Sequence, residues 1–199
     1  MAVAKLRRLL DDGAGLDLHA EHEGFGLLGM KERVDQMGGQ FHPAFLCAGL
    51  TTFNGLRNSK ARPGELVAIQ GVGGLGHLAI QFARRMGFQV AAIARGIEKE
   101  SLAKKLGAHH YIDSNGQDPV AALQALGGAR LILATAANSK SMSPLLGGLA
   151  PRGQLVVAGV GGDEPISVNP VPLPFGTRSL AGRKRHELHE LHEGDLNRR

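Results

Sequence analysis

Gly71, Val72, Gly73, Gly74, Leu75 and Gly76 form a G-x-G-x-x-G run. Its chemistry would come from the backbone, because the motif carries no ionisable side chain. At this spacing the first glycine permits a tight turn. The second lets the main chain approach a pyrophosphate, and the third lets the next helix pack closely on the preceding strand. A helix starting here presents unpaired N–H groups and the positive end of its dipole to an anion. The expected site is therefore a phosphate cradle, and it requires a strand before the motif and a helix after it.

Both are expected. Residues 65–70 are an apolar run of strand formers, and His77 to Met86 has helical spacing that stops at Gly87. Further strands are predicted at 89–94, 110–113, 130–134 and 154–158, with a short sixth at 178–181. Helices are predicted at 98–106, 119–126 and 141–149. This alternation, with short glycine-marked joints, predicts an α/β fold: a Rossmann-type doubly wound parallel sheet of about six strands. Hydrophobic residues make up 43% of the chain but aromatics only 4%. The core must therefore be built from Ala, Leu, Ile and Val, the usual material of a sheet covered on both faces.

A dinucleotide in such a fold is sorted by the residues after the second strand. An acid about 20 positions beyond the glycine loop would hold the ribose 2′-hydroxyl of NAD. Here Ala94 is followed by Arg95 and Gly96, with no acid before Glu98. Arg95 is placed to pair with a 2′-phosphate, assisted by Lys99, which favours NADP over NAD.

The net charge of +5 comes from basic residues gathered at the ends of the chain, such as Lys5, Arg7, Arg8 and Arg183 to Arg185. Without interleaved aromatics this pattern does not predict nucleic-acid binding. The single cysteine, Cys47, allows no internal disulfide. No apolar run suits a signal peptide or a membrane span, so the expected compartment is cytoplasmic. His186, His189 and His192 fall at intervals of three, and on a helix they would spread over about 60°. A solvated, charged tail is the favoured reading of 183–199.

Residues 43–182 resemble the cofactor domain of zinc-type alcohol dehydrogenases, the medium-chain dehydrogenase/reductases, especially the cinnamyl-alcohol-dehydrogenase-like branch. The resemblance is carried by Cys47 to Thr52, Pro63 to Glu65, Gly71 to Ala79, and Ala103 to Ala108. It implies aldehyde/alcohol interconversion with a nicotinamide dinucleotide and a homodimer joined through the sheet edge. By position it places Thr51 near the nicotinamide, and Ala134, Thr135, Gly159 and Val160 at strand ends lining the cofactor. Cys47 matches a catalytic zinc ligand. The family's other ligands come from an N-terminal catalytic domain that this sequence does not show, so zinc is not expected. Catalytic zinc needs about three protein ligands.

Residues 11–41 resemble instead the last part of a sensor histidine kinase ATP-binding domain. This rests on Asp11 to Gly15, Gly24 to Val34, and Gly38 with Gly39. The chain therefore reads as an extension over 1–42, a dinucleotide-binding domain over 43–182, and a tail over 183–199. Three functions stay open. The first is an NADP(H)-dependent oxidoreductase, impaired by the missing domain. The second is a nucleotide-binding module without turnover. The third is a hydrolase-type activity using His42, His77, His109 or His110 as a base.

Overall fold

The computed structural model describes residues 45–159 and 165–182. The kinase-like segment 11–41, the tail 183–199, His42 and Val160 lie outside the described residues. A π-helical turn, Phe45–Gly49, leads into α1, Leu50–Arg57. Then strands and helices alternate: β1 Leu66–Gln70, α2 Gly74–Arg85, β2 Gln89–Ala94, α3 Glu100–Leu106, β3 His110–Asp113, α4 Pro119–Ala125 and β4 Ala129–Ala134. The short α5, Ser139–Met142, β5 Leu149–Val157, α6 Pro172–Gly176 and β6 Ser179–Gly182 complete the series.

The six strands form one sheet in the order β3-β2-β1-β4-β5-β6, and every pairing is parallel. This is the predicted doubly wound sheet. The chain runs outward from β1 to β3, then crosses back to β4 on the other side of β1. The strand order reverses between β1 and β4, which opens a crevice at their carboxyl ends.

Side chains alternate across the sheet. Val67, Ile69, Val90, Leu131 and Leu133 pack with Ala79, Ile80 and Ala83 of α2 on one face. Ala68, Ala91, Ile132 and Leu155 pack with Leu123 of α4, and with Met142, Leu145 and Leu146, on the other. All these residues are almost fully buried. The many alanines of the inner strands keep the layers close.

Local chemistry sets the joints. Asp118 caps α4 by accepting from the N–H groups of Val120 and Ala121, and Pro119 fits the first turn, whose N–H needs no partner. Three elements differ most from expectation. α2 begins at Gly74, three residues before the predicted His77. The predicted helix 141–149 is a single α-turn followed by a 3-10 segment, Ser143–Gly148, because Pro144, Gly147 and Gly148 do not sustain an α-helix. β5 starts five residues earlier than expected, at Leu149. It shifts register between Ala129 and Leu131, and Arg152 there has a φ of +62°.

His109 fixes the start of β3. Its Nδ1 accepts from the Val90 N–H at 2.9 Å, and a guanidinium nitrogen of Arg84 stands 2.6 Å from Nε2. With Nδ1 accepting, the neutral ring carries its proton on Nε2, the nitrogen beside the Arg84 guanidinium. Burial first, then the charges of Arg84, His110 and Lys104, hold its pKa below the usual 6.5. The unfolded chain therefore takes up this proton before the folded one does. The stability is fully present above about pH 6.5 and is lost as pH falls from there toward the lower folded value. Thermal unfolding should show a fall in Tm between pH 7.5 and 5.5 that is smaller in His109→Gln. Equal falls in both proteins would remove His109 as the cause.

Candidate functional site

The site grows from the end of β1. Gly71 turns with a φ of +97°, a conformation side chains rarely adopt, while its N–H donates to the Ile93 carbonyl at 2.8 Å. The chain then enters α2, and Gly76 in its first turn lies directly over that turn. A Cβ on Gly76 would stand 1.8 Å from the Gly71 carbonyl oxygen and 3.3 Å from Thr135 Oγ1. Thr135 ties the neighbouring strand in: its N–H donates to the Gln70 carbonyl at 2.8 Å. Its hydroxyl lies 2.9 Å from the Gln70 oxygen and 3.1 Å from the Gly71 oxygen.

Gly73 and Gly74 are different. A Cβ on either would meet no atom within 4 Å, and Gly73 is extended at φ −107°. Neither packing nor backbone strain therefore requires these two glycines. They border a cleft of about 570 Å³ at the carboxyl ends of β1, β2 and β4. A phosphate group approaching the start of α2 would occupy the space that side chains at these positions would fill.

The cleft is lined by Gly71, Gly73, Gly74, Leu75, Arg95, Lys99 and Thr135 of the predicted cofactor residues. Ala134 is fully buried within β4, Gly76 packs against the Gly71 turn, and Thr51 is in α1; none of the three lines the cleft. Gly159 is also outside the lining. Its Cβ would stand 2.3 Å from the Thr135 carbonyl oxygen, so it serves the close approach of β5 to β4. Cys47 is half-buried in the Phe45–Gly49 turn. Among the described residues, no three His, Cys, Asp or Glu side chains are grouped to hold a metal. These residues do not assemble a donor set for zinc.

Arg95 and Lys99 flank a loop held from β3. The Gly96 N–H donates to Asp113 Oδ1 at 2.7 Å, and the Tyr111 hydroxyl donates to the Gly96 carbonyl at 2.5 Å. Burial first, then the charges of Asp113, Glu98 and Glu100, raise the Tyr111 pKa and keep its proton available. Gly96 itself has a φ of +79°. This clamp was not read from the sequence; only the strand-end position of Asp113 hinted at it. Gln70, Ser114, Asn138 and Ser141 also line the cleft and carried no motif.

The histidines considered as bases are not brought together. His77 is exposed on α2, His109 sits between Val90 and Arg84, and His110 lines a separate cleft of about 400 Å³ at the opposite end of the strands. Ligands of open α/β sheets bind at the carboxyl ends, which selects the glycine-lined cleft.

This sheet order, with a glycine turn at its switch point, defines a Rossmann-type α/β domain. The sequence profile of zinc-binding dehydrogenases matches residues 74–194, more than half of the chain, and the chain belongs to that family. It is 52% identical over 131 residues to the alcohol dehydrogenase patD of Penicillium expansum, covering 65% of this chain and 38% of that protein. It is 44% identical over 125 residues to an alcohol dehydrogenase of Geobacillus stearothermophilus, covering 62% of this chain and 37% of that protein. The chain thus spans less than two fifths of the length of either relative.

Among solved structures, the alcohol dehydrogenase of Aeropyrum pernix superposes with a TM-score of 0.67 at 29% identity, over 75% of this chain and 44% of that one. A Sinorhizobium meliloti structure bound to NADP gives a TM-score of 0.64 at 26% identity, over 69% of this chain and 42% of that one. These likenesses support the dehydrogenase resemblance and an oxidoreductase-type domain. They lend no support to the kinase-like reading of 11–41. Among the described residues, no helix is long and apolar enough to cross a membrane.

The two kinds of glycine should separate by substitution. Gly76→Ala should lose about 2–3 kcal/mol of stability, because a methyl group meets backbone that cannot move aside. Gly73→Ala should change stability by less than about 1 kcal/mol. Urea unfolding of both variants checks this, and equal losses would contradict the geometry.

Proposed function

We propose that this chain is the NADP(H)-binding part of an oxidoreductase that interconverts aldehydes and alcohols. The observation that carries the reading is the open backbone at Gly73 and Gly74, set at the switch point of the sheet and at the start of α2. The N–H groups there would hold the pyrophosphate, aided by the helix dipole. When bound, the nicotinamide supplies the hydride.

NADP rather than NAD is supported by the loop after β2. Ala94 ends the strand where NAD-binding proteins carry an acid, and the exposed Arg95 and Lys99 both line the cleft. The Tyr111–Asp113 clamp on Gly96 keeps this loop in place, so Arg95 is offered to a phosphate with little ordering left to do. A carbonyl also needs a group to polarise it. Turnover is therefore a separate question from binding. The homodimer would form through β6, an edge strand whose residues are largely exposed. The lone cysteine favours a reducing compartment such as the cytoplasm.

The test is a fluorescence titration with NADPH and with NADH, on the wild type and on Arg95→Ala. NADPH should bind in the micromolar range, and the variant should bind it about 10- to 100-fold more weakly, as expected for loss of a charge-assisted bond of about 1.5–3 kcal/mol. NADH affinity should change little. If the wild type binds neither nucleotide the reading fails, and equal losses for both would remove Arg95 as the phosphate reader. Oxidation of NADPH that depends on an added aldehyde would distinguish an enzyme from a binding module.

A further inference from the structure

Only two polar side chains are buried among the described residues, Thr52 and Gln70. Thr52 is satisfied, its hydroxyl lying 2.7 Å from the Ala48 carbonyl and 3.1 Å from that of Gly49. Gln70 is not. It is 5% exposed at the last position of β1, and its Oε1 has no hydrogen-bond partner. Buried polar atoms are nearly always paired, so an orphan in a central strand calls for an explanation.

The amide's orientation follows from its neighbours. Gln70 Nε2 donates to Ser141 Oγ at 2.8 Å, while Ser141 Oγ donates to the Asn138 carbonyl at 2.9 Å. The Asn138 side chain in turn accepts from the Ser141 N–H at 3.0 Å. Since the hydroxyl proton of Ser141 is committed, its oxygen can only accept from Gln70. In this network the amide nitrogen faces Ser141, and the oxygen is the orphan. Gln70, Asn138 and Ser141 all line the glycine cleft.

An acceptor needs a donor. Phosphate oxygens cannot supply one, and neither can Arg95 or Lys99 if they are engaged with a phosphate. A nicotinamide dinucleotide carries donors in its ribose hydroxyls and its two amino groups. We propose that Gln70 is a cofactor-reading residue whose Oε1 accepts a hydrogen bond from a hydroxyl or amino group of the bound dinucleotide, held in register by Ser141 and Asn138. This rests on the dinucleotide-binding reading above. It adds a side-chain contact on the sheet face opposite α2, where the glycine motif predicts none.

The proposal makes an unusual pair of demands on one substitution. Gln70→Leu removes an unsatisfied buried acceptor and leaves Ser141 still donating to Asn138. The unliganded protein should therefore melt no lower than the wild type, yet bind NADPH roughly three- to tenfold more weakly, as expected for one neutral hydrogen bond. Titration of the same proteins with adenosine 2′,5′-bisphosphate, which lacks both the nicotinamide and its ribose, shows which half supplies the donor. A loss of similar size places it on the adenosine half, whereas a loss seen only with NADPH places it on the nicotinamide side.

Unchanged NADPH affinity in Gln70→Leu, beside normal wild-type binding, would overturn this inference and leave the dinucleotide reading intact. A lower Tm with unchanged affinity would make Gln70 a structural residue and also overturn it. Failure of the wild type to bind either nucleotide would end both.

Discussion

The contact between Gly76 and the Gly71 carbonyl is the constraint on which the rest of the domain turns. With no Cβ in the way, α2 starts almost on top of β1 instead of being held off by a side chain. That closeness lets Ala79, Ile80 and Ala83 sink fully into the sheet. It also brings the first turn of the helix to the crevice between β1 and β4. Thr135 completes the arrangement by using its hydroxyl on the Gln70 and Gly71 carbonyls, so the two strands that flank the switch point end in one hydrogen-bonded unit. Packing and binding geometry thus share the same few atoms.

Much of this was legible in the sequence because the signals are local. The apolar runs of β2 and β3 set their observed bounds, and the glycine-marked joints located the turns after each helix. The start of α2 was placed too late, since glycines count against helix on propensity alone while here they form its first turn. β5 was misjudged for a related reason: Pro151 and Gly153 look like loop, and they fall in an irregularity between Leu149 and Gln154, the β5 residues that pair with β4 on either side of it.

The site was legible only in part, and the reason is again range. The glycine loop and Arg95 announce themselves by type and spacing along the chain. Gln70 does not, because its meaning depends on Ser141, 71 positions away, and on its own burial beside the cleft. The hold of Tyr111 and Asp113 on Gly96 likewise joins two strands whose adjacency becomes specific only once the register pairs Ala94 with Asp113. Thr135 shows the converse. Position suggested a cofactor contact, yet its hydroxyl is largely occupied in tying β1 to β4.

The composition of the cleft has a further consequence. Its lining consists of glycine and aliphatic residues, a few hydroxyl and carboxamide groups, one guanidinium and one amine, with no sulfur or imidazole among the described lining residues. Alkylating agents and peroxides act mainly on thiols and thioethers. Cys47 and Met142 both stand outside this lining. The described lining thus offers oxidants no thiol or thioether, and a covalent reagent would have to act on Lys99 or Arg95.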